Sequence, residues 1–395
     1  MKYCVLIIDG ASDWPLPERG GGTCLELARI PNLHAIARDG VVGLARTVPP
    51  GMEPSSACAC MSVLGYDPKV YYRGRASIEA KSMGITLDKG DVVFRCNLVA
   101  VRDGKMLDYS SGHIGDSESH ALIAALQESL GNDKIHFYPG VGYRHICRIE
   151  GQEDTLLATC TPPHDIPGEP IDAFLPHGSG SELLRDLMAR SEAVLREHPV
   201  NIERRSRGDI PASMIWLFWG SGELPDMPPF KEVYGLHAAM TSGVDLLRGL
   251  AKMMRMSTLD IGGVTDGLDN DYAAQAAGAL VALNELDLVV IHIEAPDEAS
   301  HAGSIDDKIE ALERVDEEVV KRLLSWDKAA LRLLIMPDHA TPIPIQTHAP
   351  DPVPFMLWGP GVDANGARAF TEAEAESTGL FIEEGHTIMG RLIQG

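Results

Sequence analysis

Positive charge is scarce in this sequence: 34 Lys and Arg stand against 57 Asp and Glu, a formal net charge of −23. Such a chain repels nucleic-acid phosphates and anionic lipid headgroups, so neither is an expected partner. An anionic substrate must then be met by local positive charge, from metal ions or a few converging arginines. Cysteine supplies no framework. The seven residues (Cys4, Cys24, Cys58, Cys60, Cys96, Cys147 and Cys160) are odd in number and form no C-x-x-C pair, which argues against a disulfide scaffold or a structural zinc site and fits a reducing compartment. No apolar run reaches membrane-spanning length, and the opening KYCVLIIDG lacks the long apolar region and small-residue cleavage site of a signal peptide, so a cytoplasmic location is expected. Internal repeats, low-complexity tracts, a P-loop and a kinase-type Gly-rich motif are also missing.

What is there is an ordinary globular composition, 45% apolar with 39 Gly and 26 Pro, over 395 residues, a length that favours two domains. Five nearly continuous apolar runs read as strands covered on both faces: YCVLII (3–8), SMIWLFW (213–219), LDLVVIHI (286–293), LRLLIM (331–336) and VPFMLW (353–358). Helical patterns lie between them, the clearest over 304–326, where Ile305, Ile309, Leu312, Val315, Val319 and Leu323 recur every three or four residues. Strands alternating with helices predict an α/β fold with a mostly parallel sheet flanked by helices. Shorter alternating segments and Pro-rich loops between about 85 and 210, with a helix over 180–197, predict a smaller inserted α+β domain. The expected division is a discontinuous core of 1–84 with 211–395 and an insertion of 85–210.

Three of the predicted strands deliver Asp or His just past their carboxyl ends: Asp9, Asp297 with His301 four residues on, and Asp338-His339. Open α/β sheets place ligand sites there, although a single Asp at such a place often only caps a helix or forms a turn. With His348 the set offers three carboxylates and three imidazoles, suited to Mn²⁺ or Zn²⁺ and less comfortably to Mg²⁺. Two ions about 4 Å apart would use so many ligands naturally and would clamp a transferring phosphoryl group. Ser56, in PSSACAC, stands where a helix begins, either as its cap or as a nucleophile facing backbone N–H groups directed at phosphate. Cys58 and Cys60 read as packing and are left out of the site.

Asp9-Gly10, PSSACA around Ser56, GYDP (65–68), PDEASH (296–301), PDHATP (337–342) and THAPDPVP (347–354) together resemble the cofactor-independent phosphoglycerate mutases of the archaeal type, members of the alkaline phosphatase superfamily. The resemblance spans nearly the whole chain. It implies an alkaline-phosphatase-like core with two divalent ions, one held by Asp9, Ser56, Asp338 and His339 and the other by Asp297, His301 and His348. It also implies phosphoryl transfer through Ser56, interconversion of 3-phosphoglycerate and 2-phosphoglycerate without 2,3-bisphosphoglycerate, and a small phosphorylated substrate as the partner. Closure of the inserted domain would keep water from the phosphoserine. Arg75 in YYRGRAS, with Arg95 and Asn97 in VVFRCNLV, match the family's substrate-binding pattern.

Two departures remove positive charge where substrate is expected: MLDYSSGHIGDSESH (106–120) replaces an Arg-rich stretch, and Glu294 in HIEAPD stands where the mutases tend to carry Lys. Both are similar to a sister branch proposed to act as homoserine kinases, in which Glu294 would meet a substrate ammonium group; the alternative is that Glu294 pairs with a nearby Arg or His. A homoserine kinase-like phosphotransferase and a plain metal-dependent phosphatase are therefore the competing expectations.

Overall fold

The computed structural model describes residues 1–327 and 329–394. The described strands are β1 (Lys2–Ile8), β2 (Val41–Ala45), β3 (Val92–Arg102), β4 (Lys105–Asp108), β5 (Ile135–Tyr138), β6 (Arg144–Ile149), β7 (Met214–Ser221), β8 (Ala238–Thr241), β9 (Ser257–Thr258), β10 (Leu288–Ile293), β11 (Leu331–Met336), β12 (Val353–Trp358) and β13 (Phe381–Ile382). They fall into two compact units, one of Met1–Tyr72 with Asp226–Gly395 and one of Arg73–Pro225.

The first unit is built on an eight-stranded sheet ordered β13-β2-β12-β11-β1-β10-β8-β9. β1 pairs in parallel with β10 on one edge and β11 on the other, and β12 runs against both of its neighbours. Because β1 lies mid-sheet with helices over both faces, side chains of either parity are buried, which is why the run reads as uninterrupted apolar sequence. Register sets the strand ends level: Ile8 faces Ile293 and Ile7 faces Met336, so β1, β10 and β11 stop at nearly the same height. Residues just past those ends emerge side by side.

The helix expected over 304–326 forms, with a change of register inside it. Ser304 caps Ile305–Arg314, the next turn (Val315–Val320) widens to π geometry, and Lys321–Leu323 returns to α. Leu312, Val315, Val319 and Leu323 still reach the core. Spacing of three or four is compatible with one extra residue in a turn, so the pattern did not reveal it.

The second unit is an antiparallel sheet in which β3 pairs with β6 and β7, and β5 with β6. Helices Asp116–Leu130 and Ser181–Arg196 contribute to its main apolar cluster, and Arg75–Ser82 packs Ala76 and Ala80 against Val93 and Ile146. Two expectations are corrected here. SMIWLFW is not a core strand: Met214, Trp216 and Phe218 stand opposite Val99, Asn97 and Arg95 of β3. The insertion runs from 73 to 225 instead of 85 to 210, because the helix at 75–82 and β7 both pack on its sheet. A buried strand looks the same in either sheet until its partner is known.

Candidate active site

β1 ends at Ile8, and Asp9 comes next with no exposed surface; Gly10 then turns the chain at φ 61°. A Cβ on Gly10 would lie 2.5 Å from Asp297 Oδ1 and 2.7 Å from Thr341 Oγ1, so this turn needs glycine for conformation and for space. β10 leads through Glu294 into the short helix Ala295–His301, whose first turn carries Asp297 and whose last carries His301, on one face. β11 leads to Asp338 and His339, both buried. Bridges from Ala340 to Ala11 and to Ala349 fold the proline-rich loop back and return His348 to the same place. Ser55 takes the capping role at helix Ser56–Val63, accepting from Cys58 N, which leaves the hydroxyl of Ser56 at the first helical position for the site.

These residues assemble into two adjoining clusters. In one, Asp9, Asp338 and His339 offer ligand atoms within 4.8 Å of one another. His339 Nε2 lies 3.3 Å from Ser56 Oγ, 3.4 Å from Asp338 Oδ2 and 3.5 Å from Asp9 Oδ1. In the other, Asp297 Oδ2 lies 3.1 Å from His301 Nε2 and 3.6 Å from His348 Nε2. The His339 and His348 rings, 4.1 Å apart, join the two. Glu294 belongs to a third grouping with Asp9 and His292, its Oε2 lying 3.5 Å from His292 Nε2.

The donors fit divalent cations. His301 Nδ1 lies 2.9 Å from the Gln346 carbonyl and His348 Nδ1 3.1 Å from the Pro54 carbonyl, so each Nδ1 carries its hydrogen outward. Their Nε2 atoms then face each other at 3.0 Å beside Asp297, an arrangement that calls for a proton or a metal ion between them. Asp9 Oδ1 and Glu294 Oε2 are buried with no hydrogen-bond partner among the described residues. Burial, then Asp338, Glu294 and Asp297, push the Asp9 carboxyl well above its ordinary range. Burial works against the His301 imidazolium, yet the hydrogen bond and charge of Asp297 push it up to about 9. His339 is driven down to about 4 by burial, against the attraction of Asp338, and is therefore neutral near pH 7.

Several contributors escaped the sequence reading. His292 Nε2 lies 2.8 Å from Asp9 Oδ2, with Nδ1 3.0 Å from Ser242 Oγ, an imidazole that orients the carboxylate. Alternation from Ile293 and Glu294 was the available signal. Cys60, set aside as packing, directs its thiol at Asp338 Oδ2 over 3.5 Å. Thr341 lies within PDHATP but was not singled out there, and Lys308, which donates to the Thr341 carbonyl, carried no signal beyond its place on a helix.

In the second unit, Arg95 is buried and Asn97 beside it leaves Oδ1 without a partner among the described residues. Arg95 Nη1 and Arg75 Nε share one oxygen of Glu79, at 3.1 and 2.7 Å, and both guanidinium groups lie over the Trp219 ring, 5.5 and 5.0 Å from its centre. Burial favours protonated Glu79, but Arg95 and Arg75 outweigh it and hold the carboxyl below its usual range. Glu79 and Trp219 were not anticipated. Arg204 pairs with Glu118 and with the Ser111 and Ile210 carbonyls, a structural use of its charge.

Comparison with known proteins agrees with this architecture. Residues 37–201 match the family described as 2,3-bisphosphoglycerate-independent phosphoglycerate mutase. A protein of that name from Methanothrix thermoacetophila is 48% identical over 398 residues, covering 100% of both chains. Among solved structures, the PH0037 protein from Pyrococcus horikoshii superposes with a TM-score of 0.83 at 26% identity, covering 99% of this chain and 96% of that one. The cofactor-independent phosphoglycerate mutase from Thermoplasma acidophilum gives 0.65 at 25% identity, covering 100% and 99%. With a full-length relative at this identity and the strand-end cluster in place, the chain belongs to the 2,3-bisphosphoglycerate-independent phosphoglycerate mutase family.

Proposed function

We propose that this protein interconverts 3-phosphoglycerate and 2-phosphoglycerate by passing the phosphoryl group through Ser56, with two divalent cations, Mn²⁺ or Zn²⁺, in the strand-end cage. The observation that carries the reading is the Ser56 hydroxyl, excused from capping by Ser55 and 3.3 Å from His339 Nε2 at the junction of the two clusters. Asp9, Ser56, Asp338 and His339 would hold one cation, and Asp297, His301 and His348 the other. When bound, the cations neutralise phosphoryl oxygens and favour ionisation of a hydroxyl beside them.

Ser56 Oγ bonds to phosphorus as the bond from phosphorus to O3 of the substrate breaks, and the displaced oxygen leaves with the proton. In the return step the C2 hydroxyl oxygen bonds to phosphorus, the phosphoserine bond breaks and Ser56 regains a proton. Burial of Ser56 limits water at the phosphoserine and so favours return to glycerate over hydrolysis. On the second unit, Arg75, Arg95 and Asn97 are read as an anion-recognition cluster whose guanidinium groups Glu79 and Trp219 hold in place. Glu294 is read as a further cage carboxylate facing Asp9, in place of a substrate contact.

The test is turnover of 3-phosphoglycerate by protein loaded with Mn²⁺, without nucleotide or 2,3-bisphosphoglycerate. Isomerisation is expected. Release of inorganic phosphate as the main product, or phosphorylation of homoserine from a nucleotide with no isomerisation, would replace this reading. Ser56→Ala is expected to abolish turnover while metal analysis still finds both ions nearly fully bound.

A further inference from the structure

The segment after β11 holds one hydroxyl that touches both clusters. Thr341 is fully buried, and its Oγ1 lies 2.5 Å from Asp297 Oδ1 and 3.1 Å from His339 Nδ1. Asp297 and His339 sit in different candidate cation clusters.

A hydroxyl has a single proton to donate. A carboxylate that ligates a cation has only acceptor oxygens, so the short contact is the Thr341 O–H donating to Asp297. Toward His339 the same oxygen can then act only as acceptor, which requires hydrogen on Nδ1. A neutral imidazole so protonated keeps its lone pair on Nε2, the nitrogen facing Ser56, Asp338 and Asp9.

We propose that Thr341 is a positioning residue that couples the two cation clusters, orienting Asp297 with its proton and fixing the His339 tautomer that aims Nε2 at Ser56 and the first cluster. The proposal rests on reading the cage as a pair of cation sites.

The backbone of Thr341 is held as firmly as its hydroxyl. Its N–H donates to the Ser12 carbonyl over 3.1 Å, and its carbonyl accepts from Lys308 Nζ over 3.0 Å. Lys308 has no exposed surface; its ammonium also meets Asp13 Oδ2 at 3.0 Å and the Ser12 carbonyl at 3.4 Å. Asp13 in turn accepts from the N–H of Ile343 at 3.1 Å. A buried ammonium is tolerated only when paired in this way, and here the pair staples the loop after β1 to the loop after β11, with Thr341 at the join.

The experiment uses metal-free wild type, Thr341→Ser and Thr341→Val, titrated with Mn²⁺ by calorimetry, and nitrogen-15 NMR of the labelled histidines of metal-free wild type. Thr341→Val keeps the shape and loses the hydroxyl, so Mn²⁺ binding is expected to weaken by about 10- to 100-fold, as for other partners of ligating histidines. Thr341→Ser is expected to bind as wild type does, and His339 is expected as the Nδ1–H tautomer. Wild-type affinity in Thr341→Val, or His339 protonated on Nε2, overturns the proposal alone. A wild type that binds no Mn²⁺ overturns the cation reading beneath it. The tautomer is read on unmutated protein, so a variant that misfolds does not remove the test.

Discussion

Gly10 shows how little room the cage leaves. At φ 61° an alanine would pay about 1–2 kcal/mol for the left-handed backbone, and its methyl would meet Asp297 Oδ1 at 2.5 Å and Asp297 Cα at 2.9 Å. The carboxylate, squeezed between Gly10 and Thr341, has to move. Gly10→Ala is therefore expected to weaken Mn²⁺ binding by about tenfold or more, on the scale seen when a ligand's supports are lost, with calorimetry on metal-free protein as the check. Unchanged affinity would mean that Asp297 is not held where the cage requires it. The Asp-Gly pair was visible in the sequence as a strand ending in a turn. That Gly10 abuts a carboxylate 287 positions away was not, because only the parallel pairing of β1 with β10 brings them together.

The helix Pro31–Arg38 carries the same lesson one level up. Its N-cap position is Ile30, which offers no side-chain acceptor, so local capping rules fail there. The acceptor comes from the π turn at Val315–Val320: Asp316 takes the N–H groups of Leu33 and Asn32 at 2.7 and 3.1 Å and the Asn32 amide at 2.8 Å. Removing it with Asp316→Ala strips a cap and leaves buried donors unpaired, an expected loss of about 1–3 kcal/mol. The urea midpoint of the variant should fall accordingly, while an unchanged midpoint would assign the capping to water. Strands β1, β10 and β11 were legible because burial on both faces writes itself as an apolar run, and their tips because Asp and His interrupt those runs. β7 was misassigned by the same rule, since an apolar run records burial and says nothing of which sheet provides it. The π turn, the remote cap and the Glu79–Trp219 clamp depend on neighbours far along the chain and leave no local pattern.

Across the chain, acidic groups outnumber basic ones by 57 to 34, and the cage concentrates that imbalance where four carboxylates converge. Without cations, protons have to fill part of the deficit. Burial first, then neighbouring carboxylates, raise Asp9 and Glu294 well above their ordinary values. A raised folded-state pKa means that the folded chain keeps a proton which the unfolded chain has released. The stability from these two groups is therefore complete below their unfolded pKa and is lost as pH rises through the folded one. His301, raised to about 9, has the same sign, its contribution full below the unfolded value of about 6.5 and lost as pH climbs through about 9. Asp297 is opposite: held low against burial by His348 and His301, it contributes above its unfolded pKa and loses that contribution only in acid. Metal-free protein should accordingly unfold at progressively lower temperature from about pH 6.5 to about pH 9. Divalent cations substitute for the lost protons and bind better as proton competition fades, so Mn²⁺ at one fixed concentration, a hundred times its Kd at about pH 6.5 and there offering about 2.7 kcal/mol, should open a gap between loaded and metal-free melting curves that widens with pH. Thermal unfolding with Mn²⁺ and with chelator at matched ionic strength measures that gap, and a gap that stays constant or narrows toward pH 9 would show that the cage does not exchange protons for metal.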